Sequence, residues 1–354
     1  MKLSRVRALA PPPPGRPRAG RARLVRRSGP AACTQVPAER SERFREGAWT
    51  SPRPGFRLLH KVWDPPPDSG PAVPLLVIHG GPGVPHNYLL PLARLAEAAP
   101  PPARAGHRSS GGDCSGGDEP ASGARPWLPR AVYMYDQLGC GGSDAPGESE
   151  AEYSVEASVR ELAGVLDCVA SDSGVPRCHV LGQSWGGILA YEGVMAGIGE
   201  RMQSLTLCNT PVDVGALEAA AQTLLDACGG DVATFMARHN CRASPTPEHV
   251  IAAYTAGATV FRGSGAIADW SVRSESEAAA VWPAGLEALV VSGEHDFVTP
   301  DCARPWLERL PARAKPTWEL VPGASHMPFN EPDCMPPFMA LVGGFLAERD
   351  GAAL

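Results

Sequence analysis

Between residues 56 and 350, short apolar runs alternate with segments whose apolar residues recur every three or four positions. The runs are FRLLHKVW (56–63), LLVI (75–78), AVYMY (131–135), CHVL (178–181), LTLC (205–208), LEALVV (286–291) and TWELV (317–321). Each reads as a β-strand, and the unbroken LLVI suits a strand covered on both faces of a parallel sheet. Helical spacing appears over 87–98, 155–170, 188–196 and 337–347. In the second of these, Val155, Val159, Leu162, Val165, Leu166 and Val169 fall on one face. Strands alternating with helices predict an α/β fold, a mostly parallel central sheet flanked by helices.

The strand rhythm stops at Thr210 and resumes after Pro283. Helical patterns fill the interval, as at 216–227 and 248–256. This predicts a helical cap over 210–283 inserted between two parts of the core, 44–209 and 284–350. Two further segments break the pattern. Residues 1–40, rich in Pro, Gly and Arg, have little to bury and read as a disordered leader. Residues 100–126, PPPARAGHRSSGGDCSGGDEPASGARP, read as a flexible surface insertion without a phosphate-loop pattern.

Composition refines this picture. The 354 residues are 44% hydrophobic and 20% charged, ordinary for a globular chain. Net charge is −6, but nine of the 32 basic residues and no acid fall in 1–38, leaving 23 basic against 38 acidic residues in the remainder. An acidic body argues against nucleic acid as a partner. No apolar stretch reaches 18 residues, so no membrane partner is expected. The ten cysteines show no C-x-x-C and no zinc-ligand spacing, and read as free thiols in a reducing compartment. The leader is Arg-rich and acid-free like an organelle transit peptide, yet proline-rich and serine-poor. Both a cleaved transit peptide and a leader without address fit, which makes the expected location intracellular, cytoplasmic or organellar.

The chemistry gathers at the ends of the strands. Gly182-Gln183-Ser184-Trp185-Gly186 is G-x-S-x-G between the strand CHVL and a helix, the setting of a nucleophile on a sharp turn. His79-Gly80-Gly81-Pro82-Gly83 follows LLVI, and His79 reads as a structural histidine beneath that loop. Gly293-Glu294-His295-Asp296 follows LEALVV; Glu294 and Asp301 compete locally, but Asp296 has the best register for an acid. Gly323-Ala324-Ser325-His326 follows TWELV and supplies the last histidine of the chain. The order Ser184, Asp296, His326 is that of the α/β-hydrolases, with nucleophile, acid and base on successive strand ends. In such a fold the backbone amides of Trp185 and of Gly81, in preference to Gly80, would form the oxyanion hole. No metal or organic cofactor is needed.

Taken together, HGGPG (79–83), DQLGCGGSD (136–144), GQSWGG (182–187), GEHDFVTP (293–300) and GASHMPFNEPD (323–333) resemble the proline iminopeptidases, a group of α/β-hydrolases. The resemblance covers roughly 44–350 without the 100–126 insertion. It extends to RHNCRASPTPEHV (238–250), similar to the family's cap segment before a proline-led helix. It implies an aminopeptidase that removes an N-terminal residue, often proline, from small peptides, with Ser184, Asp296 and His326 as nucleophile, acid and base. One departure stands out. Where the family's cap often carries G-P-x-E-F, whose glutamate helps bind the substrate's amine, this chain has RGSGA (262–266), with Gly265 at the glutamate's place and Arg262 beside it. Other cap acids, such as Glu248 or Asp269, are candidates to replace it. An amidase or esterase acting on a small molecule with the same triad is therefore the alternative, and a non-catalytic ligand-binding protein is the third reading. The oligomeric state has no signature in the sequence.

Overall fold

The computed structural model describes residues 44–99, 127–147, 153–258 and 260–351. The leader over 1–40 and the insertion over 100–126 lie outside the described residues. Eight described strands pair in one sheet: β1 (Phe44–Thr50), β2 (Arg57–Trp63), β3 (Leu75–Ile78), β4 (Val132–Tyr135), β5 (Cys178–Gln183), β6 (Met202–Cys208), β7 (Glu287–Gly293) and β8 (Thr317–Val321). Their order is β1-β2-β4-β3-β5-β6-β7-β8. Only β2 runs against the others, antiparallel to both β1 and β4. Strands β3 to β6 are buried at every position; β3 and β4 are continuous apolar runs, and β5 and β6 bury a few polar residues such as His179 and Thr206 as well. By contrast β1 is an edge strand, its residues exposed or half-buried. It carries no apolar run, so the hydrophobic pattern does not announce it.

Helix α1 (Val155–Ser173) begins at an N-cap, where the Ser154 hydroxyl accepts from the Ala157 amide, and stops at Gly174, which is left-handed (φ 71°). Helix α2 (Trp185–Met195) starts directly after β5. Between β6 and β7 come α3 (Val214–Ala227), α4 (Val232–Phe235) with a π-helical continuation Met236–Asn240, α5 (Glu248–Thr255) and α6 (Glu275–Val281). After β7 follow α7 (Pro300–Ala303) and α8 (Trp306–Arg309), and α9 (Met335–Asp350) closes the chain. The segment after β3, His86–Ala96, winds as a 3-10 helix with Pro91 inside it; proline has no amide to donate there.

Two apolar layers sandwich the sheet. On one face Val159, Leu162, Val165 and Leu166 of α1 and Ile188 of α2 pack against Leu76, Val180 and Leu205. On the other, Leu89 and Leu92 of the 3-10 helix and Phe338 and Val342 of α9 pack against Val77, Leu181 and Leu289. At the N-terminal end of the sheet, Arg130 forms a two-pronged ion pair with Asp350 (3.0 and 2.9 Å), which also accepts from the Val73 amide (3.0 Å). This fastens the end of α9 to the start of β3. No helix among the described residues is long and apolar enough to cross a membrane.

The chain runs from β3 to β4 on one side, then crosses back to place β5 on the other side of β3. In open α/β sheets the crevice at such a reversal, beyond the C-terminal ends of the strands, is where ligands bind. Here it is flanked by the HGGPG loop after β3 and the G-x-S-x-G turn after β5.

Candidate active site

Ser184 stands at the junction of β5 and α2 with φ 56° and ψ −120°, a conformation that costs a non-glycine residue energy. The turn is held by the Ser184 amide donating to Cys208 O (2.8 Å) and by the Gly187 amide returning to Ser184 O (2.9 Å). Both flanking glycines are obligatory for space. A Cβ on Gly182 would collide with the Gly186 carbonyl, and one on Gly186 with the Ile78 carbonyl.

His326 and Asp296 meet in the interior. The imidazole Nδ1 lies 2.7 Å from Asp296 Oδ1, and the two residues are 4% and 1% exposed. Asp296 Oδ1 also accepts from the Val298 amide (2.8 Å), and Oδ2 accepts from Asn209 Nδ2 (2.5 Å). Burial pushes the Asp296 carboxyl above its ordinary value; His326, the Val298 amide and Asn209 all pull against that shift. Phe297 covers the imidazole, ring centroids 4.1 Å apart. Glu294 and Asp301, the competing acids, have no buried pairing: Glu294 Oε2 accepts from the Gly323 amide (2.7 Å) on an exposed edge, with His295 Nε2 3.9 Å away, and Asp301 is exposed in α7.

A hydrogen-bond chain joins the loops. The Gly80 amide donates to Tyr88 Oη (2.6 Å), Tyr88 Oη donates to Gln183 Oε1 (2.6 Å), and Gln183 Nε2 donates to His326 O (3.1 Å). The glycine loop, the serine turn and the histidine loop are thus tied in sequence. Gly81, at φ 116°, occupies a conformation that favours glycine. The indole of Trp185 is pinned by Nε1 to Gln137 Oε1 (2.8 Å). His79 is fully buried; Nδ1 faces Gly80 O (3.0 Å) and Nε2 accepts from the Gln137 amide (3.0 Å). Burial holds its pKa down at about 4, so it is a neutral structural group.

Residues that the motifs did not single out complete the surroundings. Glu331, 3% exposed, accepts from the Ser325 amide (3.0 Å) and hydroxyl and from the Arg242 amide (2.9 Å). The His326 amide donates to His239 O (3.2 Å), and His239 Nδ1 donates to His295 O (2.8 Å). So the 239–242 segment after α4 is bonded to both the acid loop and the histidine loop. The eight cysteines among the described residues are free, and no three His, Cys, Asp or Glu side chains among those residues cluster as metal ligands.

Residues 75–333 match the alpha/beta hydrolase family. The chain is 28% identical over 316 residues to the proline iminopeptidase of Lactobacillus delbrueckii subsp. bulgaricus, covering 78% of this chain and 90% of the relative. It is likewise 28% identical to that of Lactiplantibacillus plantarum, over 78% of this chain and 93% of the relative. Among solved structures, the proline iminopeptidase of Mycobacterium smegmatis superposes with a TM-score of 0.65 at 28% identity, covering 87% of this chain and all of that one. An esterase from Thermogutta terrifontis shares the fold, with a TM-score of 0.54 at 18% identity over 86% of this chain and 99% of that one. With its strand order, its serine turn at the sheet's crossing point and a family match spanning most of its length, the chain belongs to the alpha/beta hydrolase family, as a hydrolase similar to the proline iminopeptidases.

Proposed function

We propose that the protein is a serine hydrolase that works through Ser184, His326 and Asp296, and that its reaction is the release of an N-terminal residue, often proline, from small peptides. The observation that carries this reading is the buried His326–Asp296 pair at 2.7 Å, tied through Gln183 to the turn that presents Ser184. His326 accepts the Ser184 hydroxyl proton while the oxygen attacks the scissile carbonyl, and Asp296 stabilises the imidazolium. The amides of Trp185 and Gly81 receive the oxyanion; Gly80 is the weaker choice, since its amide is engaged by Tyr88. The C–N bond breaks as His326 hands its proton to the leaving amine. Water, deprotonated by His326, then releases the acyl group and Ser184 recovers its proton.

The helical segment between β6 and β7 serves as the cap in this reading. It has no glutamate over 262–266, but Ser264 Oγ donates to Glu218 Oε1 on α3 (3.1 Å), so a carboxylate stands beside that segment. Neither Glu248 nor Asp269 has that contact among the described hydrogen bonds. The second reading, an amidase or esterase, is favoured by the missing G-P-x-E-F glutamate itself, since a free amine loses a charge-assisted partner.

Hydrolysis of proline 4-nitroanilide beside 4-nitrophenyl acetate, with Ser184→Ala as control, separates the two. Serine-dependent release from the proline substrate supports the aminopeptidase. Serine-dependent ester turnover alone moves the function to esterase or amidase, and Ser184-independent turnover of both discards the triad.

A further inference from the structure

Asn209 follows β6 and is wholly buried, yet it adopts a left-handed backbone, φ 52°. Asparagine tolerates that conformation better than most residues, though glycine would take it at no steric cost. A side chain is therefore retained where strain opposes it, and its bonds show what it does. Nδ2 donates to Asp296 Oδ2 (2.5 Å) and to Ser325 O (3.2 Å), while Oδ1 accepts from the Cys208 thiol (3.1 Å). The Asn209 amide donates to Val291 O of β7 (2.8 Å), and the carbonyl of the preceding Cys208 accepts from the Ser184 amide (2.8 Å). One residue thus touches the acid, the residue before His326, and the strand that abuts the serine turn.

We propose that Asn209 is a positioning residue of the triad: its carboxamide holds Asp296 by Oδ2 so that Oδ1 faces His326, and it fixes the acid loop against the histidine loop. This rests on the triad reading above. A carboxylate has two equivalent oxygens and rotates unless both are engaged. Here the Val298 amide and His326 share Oδ1, and Asn209 alone among the described side chains takes Oδ2. The assignment of the amide group is fixed by its partners: Asp296 and the Ser325 carbonyl accept and so face the NH2, and the thiol donates and so faces the oxygen. The buried thiols of Cys208 and Cys302 also sense Asp296; burial pushes both upward, so neither brings a charge. Removing the carboxamide leaves Oδ2 of Asp296 without its donor, with His326 and the Val298 amide still on Oδ1, so the carboxylate is freer to turn and the imidazole loses its aim.

The test uses the full chain and a fluorophosphonate, which labels an activated serine whatever the natural substrate. The rate of Ser184 modification is followed from pH 5 to 9 in wild type, Ser184→Ala, Asn209→Gly and Asn209→Asp. Asn209→Gly keeps the left-handed backbone and deletes only the carboxamide; Asn209→Asp keeps the size, sets a second carboxylate against Asp296, and carries the test if the glycine variant fails to fold. The expected result is labelling slowed about 10- to 100-fold by misplacement of the base. The acid limb should also move to higher pH in both, furthest in Asn209→Asp. A rate within about twofold of wild type on an unmoved limb overturns the positioning role, since the misplacement it predicts is larger than that. A wild type that resists the reagent, or a Ser184→Ala variant labelled as fast, instead removes the triad and the role of Asn209 with it.

Discussion

Gln183 Nε2 donates a 3.1 Å hydrogen bond to the main-chain carbonyl of His326. The residue immediately before Ser184 therefore holds the loop that bears His326, and through Tyr88 it holds the glycine loop as well. In Gln183→Leu all of these ties are cut without removing any reacting group. Leaving the Tyr88 hydroxyl proton without its acceptor and the His326 carbonyl without its donor should lower unfolding free energy by about 1–3 kcal/mol. It should also lower kcat for 4-nitrophenyl acetate about tenfold, because the base is less well aimed. Urea unfolding and steady-state kinetics measure the two effects. A variant with wild-type kcat would show that the histidine loop is held by Glu331 and His239 alone.

The strain at Ser184 makes an opposite pair of expectations. Glycine accepts φ 56° and ψ −120° without a Cβ. Ser184→Gly should be inactive and more stable than wild type by about 1 kcal/mol, the strain relieved less the entropy glycine adds to the unfolded chain. Thermal unfolding decides it: a lower Tm than wild type would mean that the turn stores no strain.

His79 links stability to pH. Its folded pKa is held at about 4 against an ordinary 6.5, because protonation would be buried and would set an N–H against the Gln137 amide. The unfolded chain therefore binds the proton more readily, and stability falls as pH drops from 6.5 toward 4. Between pH 7 and pH 5 this one group should remove about 2 kcal/mol. Urea midpoints at the two pH values, compared with those of His79→Asn, isolate the contribution. Equal pH slopes in the two proteins would dismiss it.

Asp350 holds Arg130 and the Val73 amide at the far end of the sheet from Ser184. Asp350→Ala leaves a fully buried guanidinium without its carboxylate. The expected cost is about 3–5 kcal/mol of stability, with KM unchanged in whatever fraction stays folded. Calorimetry and kinetics on the same preparation check both. A loss under about 1 kcal/mol would place that ion pair with weak surface pairs.

The alternation of apolar runs and amphipathic segments foretold seven strands of the sheet, because a strand covered on both faces is built largely from apolar residues, as β3 and β4 are throughout and β5 and β6 are between polar positions such as His179 and Thr206. It missed β1, whose exposed and half-buried residues leave no such mark. The residues with reactive groups were legible for a related reason: Ser184, Asp296 and His326 follow strand ends within glycine-rich turns, and crowding dictates those glycines, as at Gly182 and Gly186. What surrounds them was not legible. Asn209, Tyr88 and His239 are joined to the site by contacts spanning tens of positions, and Glu331, within the 323–333 stretch, by one of six positions to Ser325 and one of 89 to Arg242. No local pattern encodes contacts across tens of positions. Only Asn209 carried a faint signal, a residue tolerant of the left-handed region at a strand's end.

The bonds from residues 239–242 to the acid and histidine loops set a boundary for anyone who would exchange the segment between β6 and β7. A transplant that carries a new specificity in on α3, α5 and α6 must also replace the bonds by which Ala258 and Gly263 hold Gly83 and Pro82 of the glycine loop (2.8 and 3.0 Å). Nor can it discard the short stretch from His239 to Arg242, whose main-chain groups hold His326 and Glu331 and whose His239 imidazole holds the His295 carbonyl. A chimaera made at the strand ends should lose the engine along with the old selectivity, whereas one that keeps both sets of struts should inherit a working engine under a foreign roof.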